Sequence, residues 1–159
     1  MKRFDAAFLV LSWVVMGFSF AFFVPMAWDW FGEGGDHVRV WGWCFLFTLA
    51  TGGWLWVRTR HAHRELTVRD GFLLVTLVWV VMPAYASLPL LFTVQGISFT
   101  DAYFEAVSGL TATGATALAG LDLLAPSVNI WRCFLQLIGG LGIMLLAVAI
   151  LPFLGLGGA

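Results

Sequence analysis

Residues 98–116, SFTDAYFEAVSGLTATGAT, bring hydroxyls, two carboxylates and two glycines together between apolar flanks. Asp101 and Glu105 stand four residues apart and would share one face of a helix. A carboxylate pair can do general acid–base work, but no base, metal cluster or activated nucleophile accompanies this one. Their place in the first turns of a helix capped by Ser98 or Thr100 makes them anions at the positive end of a helix dipole. The chain is therefore not read as an enzyme. Phe99, Tyr103, Phe104, Val107 and Leu110 make this helix apolar, and Gly109 is placed to end it. Residues 111–116, Thr-Ala-Thr-Gly-Ala-Thr, carry small side chains and no charge. Such a segment can run extended with bare carbonyls, and rings of backbone carbonyls replace the water shell of a cation in selectivity filters. A helix C-terminus aimed at the same point adds partial negative charge. Taken alone, the stretch fits equally well an amphipathic turn with a Gly-Thr loop outside the membrane. The flanking elements decide.

The 159 residues are 61% hydrophobic and 11% charged, with a mean hydropathy of +0.94. That composition excludes a soluble globular domain and predicts an all-α integral membrane protein. A formal net charge of −1 gives no footprint for nucleic acid. Cys44 and Cys133 lie in separate apolar runs and read as two buried free thiols. His37, His61 and His63 fall in polar loops, and His61-x-His63 lacks a third metal ligand nearby.

Four apolar runs are long enough to span a bilayer. The first is 6–28, an uncleaved span after Lys2 and Arg3, with Pro25, Trp28 and Trp30 near its outer end. Residues 29–39 form a short acidic loop with Asp29, Glu33 and Asp36, read as external. The second span, 40–57, is bracketed by Trp41, Trp43, Trp54 and Trp56 in the manner of aromatic belts. Arg58, Arg60, Arg64 and Arg69 follow, half of the eight basic residues, so the positive-inside rule puts this loop and both termini in the cytoplasm. The third span is an outer helix at 71–92, with Asp70 as its cap and Pro83 and Pro89 predicting a kink or an end near 85–89. A pore helix at 98–110 and an extended segment at 111–116 re-enter from outside. The loop 117–127 then holds Asp122 and Pro126. The last span is an inner helix at 129–156, where Gly139, Gly140 and Gly142 permit close approach and Pro152 distorts the inner end. The expected division is a two-helix hairpin at 1–69 and one pore unit at 70–159. Glu105 and Arg132, two charges near one membrane face, are expected to pair, the alternative being that Arg132 snorkels to lipid headgroups.

This unit resembles one repeat of the TrkH/KtrB/HKT superfamily of potassium transporters, most closely the N-terminal part of its bacterial TrkH branch. The residues that carry the resemblance are Arg69-Asp70-Gly71-Phe72-Leu73-Leu74-Val75, Phe99-Thr100-Asp101-Ala102-Tyr103-Phe104-Glu105, residues 108–116, Trp131-Arg132, Gln136, residues 138–143 and residues 146–152. The resemblance implies potassium as the transported ion, coordinated by the carbonyls of Ala112 and Thr113 with Thr111 and Gly114 in support, and no organic cofactor. It implies that serine at the glycine position goes with sodium permeation. It also implies a bacterial inner-membrane location, the remaining pore repeats and lipid as neighbours, and a cytosolic TrkA-like nucleotide-binding ring as partner.

Two departures stand out. The family's first filter segment commonly reads Thr-Thr-Thr-Gly, and Ala112 replaces the second threonine. Family members also carry four repeats, whereas this chain supplies one and ends in Leu-Gly-Leu-Gly-Gly-Ala without a basic residue. The expectation is an N-terminal stretch of a four-repeat transporter. The alternatives are a homotetrameric pore closed by cyclic symmetry and a non-conducting accessory subunit packed against other transporter chains.

Overall fold

The computed structural model describes residues 4–32, 34–61 and 65–150. The described residues are all helical or irregular, with no strand among them. Helix α1 is Asp5–Ser19 and α2 is Phe23–Gly32, joined by a single 3-10 turn at Phe20–Phe22. Helices α3 (Val38–Thr59), α4 (Val68–Thr93), α5 (Phe99–Leu110) and α6 (Pro126–Ile150) follow. Asp5–Gly32, Val38–Thr59, Val68–Thr93 and Pro126–Val148 are each long and apolar enough to cross a bilayer. Helix α5, at 12 residues, is about 18 Å long and cannot.

The local turns have identifiable causes. Pro25 has no N–H to offer Ala21, and the chain tightens to 3-10 geometry just before it, with Phe23 N–H bonding back to Phe20. Helix α2 then runs on to Gly32. Asp29 is therefore the buried last turn of a helix, not the first residue of an external loop. Its carboxylate accepts the N–H of His37 at 2.9 Å and its carbonyl that of Gly35, so it ties the α2–α3 turn from beneath. At α4 the cap is Thr67, not Asp70. Asp70 is the third helical residue and completes a reciprocal capping box with Thr67. Pro126, expected in the loop, opens α6, where a missing N–H costs nothing. Gly109 does not end α5, which continues to Leu110.

The core is centred on Trp131 of α6. Its ring stacks on Phe22 at 4.8 Å and lies 5.9 Å from Phe18 and 5.7 Å from Trp41. One side chain therefore joins α1, the 3-10 turn, α3 and α6. Trp41 is fully buried here, which removes it from the expected aromatic belt; Trp43 and Trp54 face outward. Arg58 lies over the Trp54 ring at 5.0 Å and Arg60 over Trp56 at 5.8 Å. Cys44 is buried, but Cys133 is exposed on α6, because the packed face of that helix is set by Val128, Trp131 and Leu135. Helix α4 passes through Pro83 and Pro89 to Thr93, close to the expected outer end at 92, so of the kink or end expected near 85–89 the end does not occur. Residues 151–156 of the expected inner helix, with Pro152, lie outside the described residues, as do Glu33, His63, Arg64 and the N-terminal Lys2 and Arg3.

Candidate functional site: the loop that follows helix α5

Helix α5 starts where the Ser98 hydroxyl accepts the N–H of Asp101 at 3.1 Å, leaving Asp101 exposed in the first turn. Ala102, Glu105, Ala106, Ser108, Gly109 and Leu110 are its buried residues. Small residues on this face let backbones meet. A Cβ on Gly109 would sit 3.1 Å from the Cβ of Leu135, and a Cβ on Gly139 would overlap the carbonyl of Leu110 outright. Gly139 is about 20 Å along α6 from Pro126, so α5 ends near mid-span. Gly140 and Gly142 meet nothing that close, so Gly139 alone of the three makes the contact.

The helix closes in a Schellman turn. Ala112 N–H donates to Gly109 O at 3.0 Å and Thr113 N–H to Ser108 O at 2.9 Å. Ala112 sits in the left-handed region at φ 54°, the place normally given to glycine. Gly114 is left-handed too, at φ 78°, while Thr111 (φ −86°) and Thr113 are not. Among the described residues, the carbonyls of Thr111, Ala112, Thr113 and Gly114 accept no hydrogen bond. Residues 111–117 are exposed in this chain.

The returning strand is held from below. The Ser108 hydroxyl donates to Ala115 O at 2.6 Å. Glu105, whose side chain is 1% exposed, receives the Thr116 hydroxyl and the Ala117 and Leu118 N–H groups on Oε1. Its Oε2 takes Arg132 Nε at 3.1 Å. Arg132 also reaches Asn129 Oδ1 at 3.4 Å. Both oxygens of the buried carboxylate are thereby bonded, the condition under which a buried charge is tolerable. At the other end of the segment, the Thr111 hydroxyl bonds to Val107 O at 2.7 Å and lies 2.7 Å from the Thr113 hydroxyl.

The structure therefore brings Glu105, Arg132 and residues 111–116 into one assembly and sets Gly139 beneath its start, with Gly140 outside it. Two contributors had no role assigned from sequence, Ser108 and Thr116. The readable signal was a serine one turn after Glu105 on the buried face, and a threonine at the end of an otherwise small-residue segment. No group of His, Cys, Asp and Glu able to hold a metal exists among the described residues. What the site offers a ligand is unbonded, uncharged carbonyl oxygen, a ligand type that suits a hard cation.

The profile of a family described as TrkH, cation transport protein, matches residues 42–159. The chain is 51% identical over 112 residues to the Trk system potassium uptake protein TrkH of Halomonas elongata, covering 70% of this chain and 23% of that protein. It is 49% identical over 115 residues to the protein of the same name from Escherichia coli strain K12, covering 72% and 24%. The crystal structure of the potassium transporter TrkH from Vibrio parahaemolyticus superposes with a TM-score of 0.89 at 39% identity, over 99% of this chain and 34% of that one. The chain thus spans about a quarter of the length of the curated relatives it matches. With a family profile that takes in most of its residues, relatives near half identical and the same helical arrangement, this chain belongs to the TrkH family of cation transport proteins.

Proposed function

We propose that this chain supplies one quadrant of a potassium uptake pathway, with residues 111–116 as one strand of a selectivity filter. The observation that carries the proposal is the run of unbonded carbonyls from Thr111 to Gly114, held at the start by the Thr111 hydroxyl on Val107 and just after its end by Ser108 and Glu105. Ala112 and Thr113 would coordinate the ion, with Thr111 and Gly114 beside them. No organic cofactor is needed, because exchanging water for carbonyl oxygen is not covalent chemistry. Three further segments of the same kind are required to close a ring. The names of the relatives, all potassium uptake proteins, support potassium as the ion. The units at 1–69 and 70–159 correspond to a leading hairpin and a first pore unit. The arginines after α3 face the cytoplasm of a bacterial inner membrane and lie toward a TrkA-like nucleotide-binding partner.

The test is a chimera in which this chain replaces the matching quarter of a full-length relative. It is expected to restore growth on low potassium to cells lacking other importers. A chimera that reaches the membrane in normal amount and transports no potassium, with intact junctions, would remove the proposal.

A further inference from the structure

Helix α4 carries two buried prolines, Pro83 and Pro89, in its second half. Each deprives the carbonyl four residues earlier of its helical donor and props the turn open. In each case a side chain from another helix arrives at the carbonyl three residues before the proline. The Tyr103 hydroxyl of α5 donates to Val80 O at 2.8 Å. The Trp131 indole N–H of α6 donates to Ala86 O at 3.0 Å. Serine and threonine hydroxyls of α4 itself serve neighbouring carbonyls, Ser87 that of Ala84 and Thr93 that of Pro89. The two donors from outside are thus matched one to each proline, at the same offset. The carbonyls that lose their donors are those of Trp79 and Tyr85; the donors from α5 and α6 land one residue further on, at Val80 and Ala86, inside the turns that the proline rings prop outward.

We infer that Tyr103 and Trp131 are positioning residues that dock α5 and α6 onto α4 through backbone acceptors in the turns that Pro83 and Pro89 prop outward. The prolines serve as addresses: they mark where along a uniformly apolar helix the two partners must sit. Tyr103 lies on the same helix as Glu105 and Ser108, so its register sets the depth of residues 111–116. The docking itself does not depend on the proposed function. Only its consequence for ion selection rests on that reading.

Paired substitutions in the full-length chimera test this. Tyr103→Phe and Trp131→Phe should each lower the thermal midpoint in detergent by a few degrees. Pro83→Ala closes the turn at Val80, so Tyr103→Phe in that background should cost little, and Trp131→Phe should likewise cost little in Pro89→Ala. The crossed pairs, Tyr103→Phe with Pro89→Ala and Trp131→Phe with Pro83→Ala, should add. Additive matched pairs, or crossed pairs that couple as strongly, overturn the inference. If Trp131→Phe does not fold, the half-buried Tyr103 arm decides alone. Tyr103→Phe should also raise sodium relative to rubidium uptake, and Pro83→Ala should restore the ratio. Coupling in stability with an unchanged ratio upholds the docking and counts against residues 111–116 as a filter.

Discussion

Gly139 and Leu110 meet backbone to backbone: the last residue of α5 presses its carbonyl into the space a side chain on Gly139 would fill. The contact is permitted by one hydrogen atom in place of a methyl group. It fixes how deep α5 penetrates and where residues 111–116 begin. Gly139→Ala must push the two helices apart, and overpacking of this kind costs about 1–3 kcal/mol or more. Gly140→Ala meets open space and adds helix propensity. Size-exclusion profiles and thermal midpoints of the full-length variants should therefore separate, with Gly139→Ala impaired and its neighbour unchanged or slightly improved. Equal behaviour would mean that the close approach is absent in the assembled protein.

Glu105 and Arg132 should behave as a unit. Removing one member of a buried ion pair costs about 3–5 kcal/mol, because the survivor is left charged without a partner. Glu105→Gln and Arg132→Gln should each be severe, and the double variant should lose clearly less than the sum. A double-mutant cycle on midpoint or on uptake measures the coupling, and additive losses would show that Arg132 serves lipid headgroups instead.

Gly114 should control ion choice through its backbone. Nothing lies within 4 Å of where its Cβ would be, so room is available; the obstacle is φ 78°, which L side chains rarely adopt. Gly114→Ser should insert and fold, take up potassium poorly and discriminate less against sodium. Thr113→Ala keeps the carbonyl and should be milder, although it loses the hydroxyl contact with Thr111. Parallel rubidium and sodium uptake reads both. Selectivity retained by Gly114→Ser would exclude residues 111–116 as a filter strand.

Ala112 carries strain that glycine would relieve. A left-handed non-glycine residue costs roughly 1–2 kcal/mol, so Ala112→Gly should raise the thermal midpoint and Ala112→Val should lower it. The opposite order would place Ala112 in an ordinary conformation.

Much of this arrangement was legible in the residues. Apolar runs marked the four spans, Ser98 marked the start of α5, and the uncharged small-residue segment after Leu110 marked the loop. Hidden were facts that depend on which face meets a neighbour. Trp41 and Trp43 are two residues apart and equally apolar, yet one is in the core beside Trp131 and the other faces outward. Asp29 looked like a loop residue because charge in an apolar run signals an end; its burial depends on the N–H groups of a turn not yet formed. The side-chain donors that Tyr103 and Trp131 bring to the α4 backbone depend on how three helices pack. Glu105 could be matched with Arg132 by charge, but its hold on residues 116–118 is a matter of where the chain comes back. The left-handed Ala112 had no signal, since alanine is the residue least suggestive of a turn.

The grip of Glu105 also sets an order of events during biogenesis. Its carboxylate touches residues 116–118 directly, but its second oxygen waits for Arg132, 27 residues later in the chain. Until the ribosome has delivered α6, that oxygen has no cationic partner and Leu110 has no Gly139 to rest on. The hairpin of α1 to α3 and the shaft of α4 can enter the membrane before then. The loop after α5 is expected to settle only after the helix that follows it, making α6 both the next element synthesised and the one that licenses the shape of what came before.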